Sequence, residues 1–317
     1  MEMVLQAVQS VLSMIVLMLV GGWLAGKPWF RDNGGSGMLS KLIVQVFVPC
    51  YMLTNVLNKV GTRENLVQIL ASFPIPLATV LLGLVLGLGA AKALGIKAPR
   101  RGVFINVMTF TNCVFIGFPI VTSLFGDEAA AAGMVYYMAN TTCFWTIGVS
   151  LLREDGGHEE PIFSKAGLKK LVSPPLMGFF AGVVMVVLGL GLHPVLAGPI
   201  GQLGAMATPL AMVFVGCILR NADWKKLRLS RDLVLVVLFR FVICPALVLV
   251  LVRLLPIPQL YRRVFFIMSA MPAMTQLSVM CKESGSDVEF ASLLIAVTTV
   301  LSIFLIPVYT VVVTLLL

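Results

Sequence analysis

Apolar runs of about twenty residues, following one another along the chain, limit its fold more than any other feature. A helix needs roughly 20 mostly apolar residues to cross a hydrocarbon core about 30 Å thick. Ten such runs can be read, near residues 4–26, 38–57, 66–91, 102–125, 129–152, 171–192, 199–219, 232–254, 264–283 and 288–316; they are numbered here as spans 1 to 10. The runs are too long for barrel strands and do not alternate with period two, which excludes a transmembrane barrel. Composition agrees: 59% of residues are hydrophobic and 12% charged, with a mean hydropathy of +1.01. Ordinary soluble domains are about 45–50% apolar and about 25% charged. The expected fold is an all-α polytopic membrane protein. The segment Met3 to Ala25 has no basic stretch before it and leads into further spans, so it reads as a first span and not as a cleavable signal peptide.

The formal charge of +9 does not point to a nucleic-acid partner, because the Lys and Arg residues other than Arg240 sit in the loops between the apolar runs or at their ends. With the N-terminus outside, the inner loops hold Lys27, Arg31 and Lys41; Lys92, Lys97, Arg100 and Arg101; Arg153, Lys165, Lys169 and Lys170; Arg220, Lys225, Lys226, Arg228 and Arg231; and Lys282. The outer loops hold only Lys59, Arg63, Arg253, Arg262 and Arg263. The positive-inside rule therefore predicts both termini outside a plasma (inner) membrane, with the long polar segment 153–170 as a cytoplasmic loop. The six cysteines all fall within apolar runs without a CxxC pair, and His158 and His193 are isolated. No cofactor or metal site is expected.

The two halves resemble copies. Pro49 in span 2 and Pro209 in span 7 are 160 residues apart, Arg101 and Arg263 before spans 4 and 9 are 162 apart, and Gly126 and Gly285 after those spans are 159 apart. Each copy holds five spans, an odd number, so the second enters the membrane inverted. The first repeat is 1–152 and the second 171–317. Inverted five-helix repeats are a build of secondary transporters.

Inside span 4 stands FTNCVFIGFPIVTSLFG, Phe110 to Gly126, with Asn112, Gly117 and Pro119. Its counterpart in span 9 is SAMPAMTQLSVM, with Pro272, Thr275 and Gln276. Proline removes a backbone donor and crowds the preceding turn. A broken helix survives at membrane depth only where protein or a wet cavity covers it. Two matched interruptions point to a substrate site where they cross, with the half-helix N-termini suited to a carboxylate. The break in span 4 is expected at Gly117 and Pro119.

These residues carry a resemblance. NCVFIGFPIVTSLFG is similar to the span 4 motif of the auxin efflux carrier family, to which the plant PIN carriers and bacterial malate/malonate-permease-like proteins belong. LVGGWLAGK (Leu19–Lys27), KLIVQVFVPCYML and MPAMTQLSVMCKESGSDVEFAS resemble its spans 1, 2 and 9. The resemblance implies ten helices with spans 4 and 9 discontinuous and crossed. Spans 1, 2, 6 and 7 would form a scaffold, through which a homodimer would assemble, and spans 3–5 and 8–10 a transport domain. It also implies elevator-like transport of organic anions, with Asn140 of span 5 lining the site. The long central loop of the large plant carriers is absent.

Arg240, in VVLFRFVICPAL of span 8, lies nine residues past Arg231. At about 1.5 Å per residue that places it about 13 Å deep. No Asp or Glu stands in the middle of any span, so its partners must be backbone carbonyls, water or the transported anion. The sequence has no GxSxG, no HExxH and no pair of intramembrane acids, which argues against an enzyme. The expected function is a secondary carrier for a small organic anion such as a carboxylate. The alternatives are an anion channel or a membrane sensor of the same fold.

Overall fold

The computed structural model describes residues 2–157, 174–221 and 230–317. Most of the 153–170 loop, His158, and Lys225, Lys226 and Arg228 lie outside the described residues. Those described form helices and no strand. Apart from the short helices Pro28–Arg31 and Arg63–Ala71, they are in chain order α1 (Glu2–Ala25), α2 (Gly35–Asn58) and α3 (Pro74–Ala93), α4 (Arg101–Thr109), α5 (Cys113–Phe125), α6 (Ala129–Cys143), α7 (Val149–Asp155), α8 (Pro174–Leu188), α9 (Pro194–Asn221) and α10 (Arg231–Leu254), α11 (Gln259–Ser269), α12 (Gln276–Ser284) and α13 (Val288–Leu316). Five of them, α2, α3, α9, α10 and α13, are long and apolar enough to cross a membrane. Spans 4 and 9 each consist of two shorter helices, α4 with α5 and α11 with α12.

Span 4 is interrupted earlier in the chain than its proline suggested. The helix ends at Thr109, and Phe110 is extended, with φ −93° and ψ 131°. Gly117 closes a π-helical turn over Cys113–Gly117, and Pro119 is the second residue of the α-helical stretch that follows. The same arrangement recurs twice. A π turn over Ile43–Phe47 precedes Pro49, and one over Phe239–Ile243 precedes Pro245. A proline ring collides with the carbonyl four residues back and offers it no N–H. Widening the turn by one residue moves that carbonyl away, so these three prolines sit in helices that continue.

Two compact units divide the chain: Met1–Ser72 with Val114–Val135 and Val172–Asn221, and Phe73–Cys113 with Tyr136–Leu171 and Ala222–Leu317. In the first, α1 and α9 meet backbone to backbone. A Cβ on Gly21 would strike the carbonyl of Val213, and one on Gly216 the carbonyl of Met18. The reciprocal pairing shows that the helices run antiparallel at this contact. Gly178 of α8 lies in the same way on the carbonyl of Pro49 in α2. Helices in lipid lack a hydrophobic drive to associate, and small residues allow the close approach that replaces it.

In the second unit, Gly83 and Gly87 of α3 face Thr109 and Ile105 of α4. The start of α4 is fixed by Asp155, whose fully buried carboxylate accepts from the Gly102 N–H and the Arg101 guanidinium. Asp287 caps α13 by accepting from the Phe290 N–H at 2.9 Å and pairs with Arg100 at 2.8 Å. Ser286 donates to the Leu152 carbonyl at 2.7 Å. An N-terminal turn carries backbone donors without helical partners, and a carboxylate supplies both acceptor and complementary charge.

Candidate functional site

The two interruptions meet inside the second unit. Thr111 and Ala273 form an antiparallel bridge, and the Asn112 N–H donates to the Pro272 carbonyl at 2.8 Å. Extended backbone at this depth needs partners for its N–H and C=O groups, and side chains supply the rest. Asn140 clasps Thr111 at both ends of its amide plane: Oδ1 accepts the Thr111 N–H at 3.0 Å, and Nδ2 donates to the Thr111 carbonyl at 3.1 Å. Thr298 of α13 accepts the Ala273 N–H at 3.2 Å and donates its own hydroxyl to Leu294 at 2.7 Å. Asn112, Thr111, Asn140 and Thr298 are all buried.

Arg240 closes the arrangement. Its side chain is fully buried. Nε donates to the Met271 carbonyl at 2.7 Å, and Nη1 to those of Met108 at 3.1 Å and Val107 at 3.5 Å. Val107 and Met108 belong to the last turn of α4, and Met271 lies just beyond the end of α11. The final carbonyls of a helix have no helical partner and carry the negative end of its dipole. One guanidinium thus serves the C-terminal ends of both half-helices. Its Nη2 has no protein partner, and no carboxylate pairs with it among the described residues.

Thr275 and Gln276 stand where α12 begins. Thr275 is buried with its hydroxyl unpartnered, and Gln276 is half-buried at the first helical position. The structure therefore brings Asn112, Asn140, Arg240 and Pro272 together, with Thr275 and Gln276 following on the same chain segment. Gly117 and Pro119 are helical residues of α5, in the first unit. Sequence reasoning missed Thr111 and Thr298. The Thr298–Thr299 pair in the middle of a span was the available signal for the latter. Among the described residues no cluster of His, Cys, Asp and Glu could hold a metal. An open cleft of ≈ 430 Å³ lies elsewhere, in the first unit, with Thr54, Asn58 and Gly189 in its wall.

A helical membrane protein whose two broken helices are sewn together at buried polar residues has the form of a membrane transporter. The comparisons agree. The sequence profile of the membrane transport protein family (Mem_trans) matches residues 6–310, and the chain belongs to this family, the auxin efflux carrier family of the resemblance above. It is 27% identical over 309 residues to an uncharacterized transporter of Methanothermobacter thermautotrophicus, covering 96% of this chain and 97% of the relative. It is 22% identical over 305 residues to an uncharacterized transporter of Methanocaldococcus jannaschii, covering 94% and 96%.

Proposed function

We propose that the chain is a secondary carrier that moves a small organic anion, such as a carboxylate, across the plasma membrane by elevator-like alternating access. The observation that carries this reading is the junction of the two helix breaks around a buried guanidinium with unpartnered N–H groups. A positive, water-poor site lined by amides suits a carboxylate. In this reading Asn112, Asn140, Thr275 and Gln276 contact the anion, Pro272 keeps the second break open, and the Nη2 side of Arg240 supplies the positive field. Gly117 and Pro119 lie outside the site so drawn.

The proposed architecture is ten spans in two inverted repeats, with spans 1, 2, 6 and 7 as scaffold and dimer contact and the remainder as the moving part. The offsets near 160 support it. So does the positive φ shared by the two turn glycines, 78° at Gly126 and 76° at Gly285, though their ψ values differ at 175° and 13°. So does the division of the chain into two units, although Val114–Val135 groups with the proposed scaffold. The basic-residue bias favours both termini outside. An impermeant thiol reagent should then label a single cysteine at position 127 from outside and one in the 153–170 loop only from the cytoplasm. Reversed labelling removes the orientation.

The test of function is counterflow in proteoliposomes loaded with a panel of carboxylates. Saturable uptake stimulated by internal substrate is expected. Arg240→Lys should retain part of it, and Arg240→Gln should show a raised half-saturation for the anion. Flux that rises linearly with concentration and ignores internal substrate would mark a channel. An unchanged half-saturation in Arg240→Gln would remove the residue from the site.

A further inference from the structure

We infer that Arg240 is a tethered cation occupying a seat built for a coupling ion, so that the carrier needs neither Na⁺ nor K⁺, and that stripping the guanidinium opens the seat to small free cations. The inference rests on the reading of the two breaks as the carrier site. In transporters with discontinuous helices, unwound carbonyls and half-helix C-terminal ends are the groups that coordinate a driving cation. Here Val107 and Met108 offer carbonyls from one such end and Met271 from the other, and all three are taken by Arg240. An inorganic cation would have to share these oxygens, which lie 2.7–3.5 Å from the guanidinium nitrogens, and two positive charges on one set of carbonyls repel each other. Among the described residues no carboxylate stands by to offset a second positive charge. Arg240 is anchored in α10, whereas the carbonyls belong to α4 and the α11–α12 connection. It therefore ties together three elements of the second unit, as a bound metal ion would. Unlike a metal ion it cannot leave, so its charge stays with the site whether or not the anion is present.

The experiment measures the melting temperature of the purified full-length protein at matched ionic strength in sodium, potassium or N-methyl-D-glucamine chloride, with or without methylguanidinium at about 10 mM. A cation that binds only the folded state raises the melting temperature by linkage. The wild type should melt within about 1 °C in all of these solutions, since its seat is filled and no linkage arises. Arg240→Ala should melt lower and recover at least half of the loss in methylguanidinium or Na⁺, and none in N-methyl-D-glucamine. Should the alanine variant fail to fold, Arg240→Gln read in the same salts takes its place. Arg240→Lys, which keeps a cation, must then melt above the glutamine variant.

Three results overturn the proposal: Na⁺-specific stabilisation of the wild type, no recovery of the neutral variant by any small cation, or a lysine variant no more stable than glutamine. No transported anion enters the measurement, so its failure leaves the counterflow result standing. Loss of counterflow would likewise leave the melting result intact.

Discussion

The α1–α9 contact in the first unit and the junction of the two breaks in the second are both dense, buried and deep in apolar chain, yet they hold in opposite ways. Gly21 and Gly216 bring two whole helices together by having no side chain, so each backbone rests on the other. Thr111, Asn112, Pro272 and Ala273 bring two severed helices together because Asn140, Thr298 and Arg240 supply partners for loose backbone groups there. The first contact gains dispersion from closeness, while the second avoids the several kcal/mol that each unpaired group would lose in lipid. The first is therefore sensitive to what is added, and the second to what is taken away.

The largest effect should come from adding at the first contact. Gly216→Leu puts atoms where a main-chain carbonyl stands, and no rotamer can relieve that. We expect at least about 3 kcal/mol of destabilisation, the upper end of the usual range for overpacking, seen as a collapse of melting temperature or of monodisperse yield in detergent. Gly216→Ala already places the offending Cβ, and a wild-type melting curve for that variant would break the contrast.

A smaller effect is expected from taking away at the second. Asn140→Ala strands the buried Thr111 N–H and leaves its carbonyl with the Cys113 N–H alone, a loss of about 2 kcal/mol, measurable by thermal shift and accompanied by weaker anion counterflow. Asn140→Ala with full stability would mean that Thr111 finds other partners. The smallest effect belongs to Ser286→Ala at the capped end of the second unit. It deletes one hydrogen bond to the Leu152 carbonyl and should lower stability by about 1 kcal/mol without changing half-saturation. A change in half-saturation would tie that end to the site.

Much of this could be read before any coordinates. Apolar length marks the long helices α2, α3, α9, α10 and α13, and the intramembrane Arg240 announced itself by having no acid to pair with. The segments that break were legible too, but not the point of the break in span 4. A proline ordinarily reads as the interruption, and here a widened turn absorbs Pro119 while the helix ends at Thr109. The partners of Arg240 were only a class, because a carbonyl of Met108 or Met271 leaves no mark in the identity of its residue. Thr111 was invisible for the same reason: its part in the junction is played mainly by its backbone.

The π turns before Pro49, Pro119 and Pro245 have a bearing on descent. A π turn is an α-helix that has gained one residue, and each residue turns a helix by about 100°. Deleting a residue within Ile43–Phe47 would swing everything beyond it by that angle, unless the proline were lost in the same step. Insertion and proline should therefore be inherited together. Relatives that lack one of these prolines are expected to be a single residue shorter in that span, with the rest of the helix still presenting the same face.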